Sequence, residues 1–198
     1  MLTVYGDIRS GNCLKVRWLL DCLGLDYQWI ETDVMSGATR TPEFLKMNPA
    51  GQLPVAVLAD GRPLAQSNAI LVHMAEGSDW IPADPWARAK MFEWLFWEQY
   101  SHEPYIAVAR FQRTLAGRTA DEIEPRLMER GHAALARMEA ALAEADWLAG
   151  GGPTLADLAL VAYTRVAPEG GFDLEPYPAV RAWIARIEGL DDYIAITA

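Results

Sequence analysis

A proline-led hairpin at residues 48–71 governs how this chain can fold. Leu53-Pro54 precedes the short apolar run Val55-Ala56-Val57-Leu58, Asp60-Gly61 follows, and a second apolar stretch ends at Gln66-Ser67. Asp-Gly supplies the positive φ that a two-residue hairpin loop requires. Pro54 lacks an N–H, which is tolerated at the first residue of a strand or at a bend. Ser67 reads as an N-cap, and Asn68 to Met74 is helical in character. A bent loop is thus expected beside a helix N-terminus, a pairing suited to a small peptide-like anion. The same residues also serve as an ordinary hairpin with a serine-capped helix.

Upstream, Leu2 to Gly6 reads as a strand, and Val16, Leu19, Leu20 and Leu23 recur at helical spacing from about Asn12 to a stop at Gly24. Tyr27-Gln28-Trp29-Ile30 alternates like a strand, and Thr41-Pro42 opens a short helix through Met47. The order β-α-β-α-β-β-α over residues 1–77 predicts an α/β unit of the thioredoxin type. Residues 78–84 carry breakers and form the expected linker. From Asp84-Pro85 to residue 198 the pattern is helical throughout, so an all-α domain is expected at 85–198. Its signals include Thr119 to Glu122 as a capping box opening a helix with Leu127 and Leu135. Thr154 to Asp157 is a second box, and Val180, Trp183, Ile184 and Ile187 form one stripe after Pro178.

The formal net charge of −10 argues against nucleic acid and against an anionic membrane surface as partners. Residues 1–7 show neither a basic start nor a long apolar core, and no run approaches membrane-spanning length. Cys13 and Cys22 are expected on one helix about 13 Å apart, too far for a disulfide. A cytoplasmic location follows as the expectation. His73 and His132 show no metal-ligand spacing, so no metal is expected.

The hairpin block resembles the second half of the thioredoxin-like domain of the cytosolic glutathione transferases. Trp80-Ile-Pro-Ala-Asp-Pro85 is similar to that family's interdomain linker, Thr154 to Asp157 to its buried capping box, and Tyr177 to Trp183 to its last helices. The resemblance implies a cis bond at Pro54, with Leu53 offering its backbone to the cysteinyl part of glutathione. It implies that Gln66 and Ser67 hold the γ-glutamyl end. Gln52 and Arg40 are weaker candidates for the glycyl carboxylate, and glutathione enters as co-substrate to a homodimer.

Glutathione has to ionise before it attacks an electrophile. At a thiol pKa near 8.5 only a few per cent is thiolate at neutral pH, and lowering it by about two units takes roughly 2.7 kcal/mol. One hydroxyl hydrogen bond plus the positive end of a helix is of that size. Arg9-Ser10-Gly11-Asn12-Cys13 supplies a hydroxyl at a strand-to-helix turn. The stretch resembles the serine openings of theta- and zeta-like transferases, which maps thiolate stabilisation onto Ser10. Tyr5, Asn12 and Cys13 compete for the role: a phenol ending the first strand, an amide, and a thiol able to form a mixed disulfide. Among the helical-domain aromatics, Tyr105 is a candidate substrate contact, and His102 and Arg110 would meet an acidic substrate. A packed aromatic face or a subunit interface explains the same cluster.

The expected function is therefore transfer of glutathione to a small hydrophobic electrophile. Glutathione-dependent disulfide reduction and a non-catalytic, transferase-like binding module are the alternatives.

Overall fold

The computed structural model describes residues 1–190 and 193, which divide between Ser78 and Asp79 into two compact units. In the first unit, strands β1 (Leu2–Gly6), β2 (Tyr27–Glu31), β3 (Val55–Val57) and β4 (Pro63–Ala65) form one sheet in the order β2-β1-β3-β4. β1 runs parallel to β2 and antiparallel to β3, and β3 runs antiparallel to β4. The parallel pair needs a crossover, and α1 (Gly11–Cys22) provides it, ending at Leu23 with Gly24 in the left-handed region. α2 (Pro42–Met47) starts as the sequence indicates, the Thr41 hydroxyl accepting from Phe44 N at 3.2 Å. α3 (Ser67–Met74) packs against α1; Ile70 and Leu71 on α3 and Val16, Leu19 and Leu20 on α1 are buried. Tyr193 belongs to this unit, its ring edge-on to Trp18 at 5.4 Å.

Two local expectations are corrected. The hairpin loop has three residues rather than two: Leu58 N donates to Arg62 O, and only Gly61 takes positive φ, at 86°. The expected two-residue turn at Asp60-Gly61 is thus replaced by a turn closed with one left-handed residue. Ser67 is the first residue of α3 and not its cap. That position falls to Gln66, whose φ of 72° lies where side chains are strained.

The second unit is helical among its described residues: α4 (Pro85–Trp97), α5 (Glu103–Thr114), α6 (Pro125–Leu142), α7 (Leu155–Thr164) and α8 (Pro178–Glu188). A π-turn at Glu98–His102 joins α4 to α5. The Thr119–Glu122 capping box closes a short 3₁₀ turn, while Glu124 and Pro125 start the long helix, because Pro at the first position forgoes no helical bond. The Thr154–Asp157 box is buried at the head of α7, every residue of which is buried. Asp157 accepts from Thr154 N, Thr154 Oγ1, Leu148 N and Trp183 Nε1 at 2.9–3.0 Å. It thereby ties α8 and the preceding loop to α7.

Candidate active site

The sheet register assembles the site. Tyr5 stands opposite Val55, and Val55 stands opposite Ala65. The residues just beyond, Pro54 on β3 and Gln66 on β4, therefore lie at the same edge as the end of β1. The Leu53-Pro54 bond is cis. Asn48 Nδ2 donates to Gln52 O at 2.8 Å, and Arg40 Nη1 donates to Ala50 O at 3.2 Å, which ties Arg40 to the loop that carries Gln52 and Leu53. Gly51 has to be glycine there: its φ is 63°, and an added Cβ would lie 2.5 Å from Arg40 Nη1.

The β1–α1 turn supplies the other half of the site. Asp7 is buried, and its carboxylate accepts from Arg9 N and Nε at 2.9 Å, from Arg9 Nη2 at 2.6 Å and from Val34 N at 3.3 Å. Burial pushes its carboxyl up, but the hydrogen bonds from Arg9 and Val34 outweigh this and hold it below the ordinary value. Arg9 reaches on to Asp33 at 2.6 Å, and Ser10 N donates to Asp7 O. This clamp fixes the backbone that presents Ser10 at the head of α1.

Ser10 is half-buried, and its side chain makes no capping bond to the helix. It does meet the Cys13 thiol, which burial pushes up to about 12 despite the opposing pull of the Asp7 backbone and the Ser10 hydroxyl. Cys13 is thus a protonated, fully buried thiol at neutral pH and no rival nucleophile. Asn12 reaches across to α3: its Oδ1 accepts from Ser67 Oγ at 3.2 Å and from Lys15 Nζ at 2.7 Å. Ser10, Asn12, Gln66 and Ser67 therefore converge where two helix N-termini meet, an anion-favouring place. The Tyr5 ring packs edge-on against Phe44 at 6.2 Å.

The three helical-domain candidates separate. Tyr105 is half-buried. His102 is fully buried with Nε2 at 2.8 Å from Thr164 Oγ1, and Arg110 is buried with Nε at 2.6 Å from Glu169. Both tie segments of the helical unit together. The sequence reading missed Lys15 and the Asp7–Arg9–Asp33 clamp. The signal for Lys15 was its place on the apolar stripe with Trp18 and Leu19. Among the described residues, no group of three or more His, Cys, Asp or Glu is placed to hold a metal ion.

Residues 1–76 match the model of the glutathione S-transferase N-terminal domain, and residues 96–191 match that of its C-terminal domain. The chain is 34% identical over 197 residues to glutathione S-transferase 3 of Zea mays, covering 92% of this chain and 86% of that one. It is 30% identical to the disulfide-bond oxidoreductase YfcG of Escherichia coli, over 89% of this chain and 85% of that one. In structure it resembles a glutathione S-transferase from Pseudomonas fluorescens Pf-5, with a TM-score of 0.96 at 45% identity, covering 100% of this chain and 99% of that one.

Proposed function

This chain belongs to the glutathione S-transferase family, enzymes with glutathione as co-substrate, and we propose that it ionises the glutathione thiol at the head of α1 for attack on a small hydrophobic electrophile. The observation that carries this reading is the convergence of Ser10, Asn12 and Ser67 on two helix N-termini, joined by the Asn12–Ser67 hydrogen bond. Gln66 and Ser67 take the γ-glutamyl end, the Leu53 backbone pairs with the cysteinyl unit, and Arg40 and Gln52 meet the glycyl carboxylate. Ser10 donates to the thiolate, with the Asn12 amide as second donor. Tyr105 is proposed as a contact for the electrophile.

Burial of Cys13 speaks against a mixed disulfide through that thiol. A cytoplasmic location is part of the proposal. A homodimer is part of the proposal. Phe92 and Phe96 stack at 6.3 Å on α4, and Phe96 and Tyr100 are 73% and 82% exposed, an aromatic face suited to a second copy. Light scattering checks it.

The test measures glutathione affinity, conjugation of a halogenated aromatic electrophile and reduction of hydroxyethyl disulfide. Ser10→Ala is expected to lower conjugation about 10-fold or more with binding largely kept, the size of a lost charge-assisted hydrogen bond. Tyr5→Phe is expected to change little. If Tyr5→Phe abolishes turnover and Ser10→Ala does not, the assignment of Ser10 is wrong. A wild type no faster than an enzyme-free control would leave only a binding module.

A further inference from the structure

Lys15 is completely buried in the first turns of α1, where a lysine has no packing advantage over the Leu and Val residues around it. Its Nζ lies 2.7 Å from Asn12 Oδ1, and that oxygen also receives the Ser67 hydroxyl at 3.2 Å. A lysine side chain has only donors to offer, so the Asn12 atom facing it has to be the amide oxygen. The pairing therefore settles which way the Asn12 amide is turned. Nδ2, the end carrying donors, lies on the other branch of the carboxamide.

A cation and a hydroxyl drawing on one carbonyl oxygen polarise the amide and strengthen its N–H as a donor. Around the turn, Asp7 and Asp33 both pair with Arg9, and Glu31 accepts from Ile8 N and Trp29 Nε1. From α3, Ser67 is the group that joins the network, and His73 lies in that helix's last turn.

We propose that Lys15 is a positioning residue for thiol ionisation: it orients and polarises the Asn12 amide so that this amide and the Ser67 corner act on bound glutathione as one unit. The proposal rests on the thiolate reading above.

The test compares wild type, Lys15→Met, Lys15→Gln, Asn12→Ala and the Lys15→Met/Asn12→Ala double variant. The pKa of bound glutathione is read from thiolate absorbance during a pH titration, and affinity is measured for S-methylglutathione, which has no thiol to ionise. Lys15→Met is expected to raise the bound thiol pKa by about one unit, with conjugation below that pKa falling about 10-fold. Lys15→Gln, which keeps a donor but no charge, is expected to fall between Lys15→Met and wild type. S-Methylglutathione is expected to bind all of them within about threefold. The double variant is expected to match Asn12→Ala, because Lys15 acts through that amide. An unchanged bound-thiol pKa in both Lys15 variants, or additive effects in the double variant, overturns the proposal. Failure of both Lys15 variants to fold, judged by circular dichroism, also overturns it by making Lys15 a structural element. A wild type that leaves bound glutathione at its free pKa refutes the thiolate reading itself, a result distinct from those.

Discussion

Replacing Asp157 with Ala should be the most damaging single change in the helical unit. The carboxylate is buried and accepts from Leu148 N, Thr154 N, Thr154 Oγ1 and Trp183 Nε1, all at 2.9–3.0 Å. Ala removes every one of those acceptors. The Thr154 hydroxyl still accepts from Ala156 N, but two backbone N–H groups and an indole N–H stay buried. Each buried orphan costs about 1–3 kcal/mol. Relaxation of the 148–154 loop recovers part of this, so a loss of about 4 kcal/mol is expected. For a protein of this size, that corresponds to a fall in Tm of about 8–16 °C. Differential scanning calorimetry measures it. Trp183→Phe supplies the internal control, because it deletes the indole donor. In the Asp157→Ala background it should cost at least ~1 kcal/mol less than in the wild type. A Tm drop of under about 3 °C for Asp157→Ala, or strict additivity with Trp183→Phe, would refute the reasoning about orphaned donors.

Two further outcomes follow from the first unit. Because the folded-state pKa of Asp7 is depressed, its stabilisation is present above the unfolded value of 3.8 and lost as pH falls through the folded value. Asp7→Asn should therefore lower stability at neutral pH while flattening the acid limb of a urea-midpoint profile, and an unchanged acid limb would count against the clamp. With its pKa at about 12 and its side chain fully buried, Cys13 should resist iodoacetamide at about pH 8 in the native protein and react in urea. Mass spectrometry of the labelled peptide reads this directly, and fast native labelling would show that the thiol is open.

Much of this arrangement was legible in the residue order. Thr41-Pro42, Asp84-Pro85 and Thr154 to Asp157 each encode a helix start through bonds made within three residues, and each start appears where the sequence puts it. The convergence of Ser10 with Gln66 and Ser67 was approached through resemblance. What fixes it physically is the pairing of β1 with β3 and of β3 with β4, a long-range register that no local pattern states. Ser67 shows the limit: a serine before a helical run looks like a cap, but its hydroxyl is claimed by Asn12, 55 residues away in sequence. His102 and Arg110 show another, since their partners Thr164 and Glu169 lie 62 and 59 residues away, contacts that no local pattern states. Lys15 escaped notice because a lysine close to an arginine in a helix looks like a solvated surface.

Gln66 is the one described non-glycine residue with positive φ, and it stands where the γ-glutamyl end is proposed to bind. Glycine would adopt that backbone without steric strain. A selection for heat resistance alone would accordingly drift toward Gln66→Gly, and it would erase the amide that distinguishes this corner. Durability and ligand grip pull in opposite directions at that one peptide.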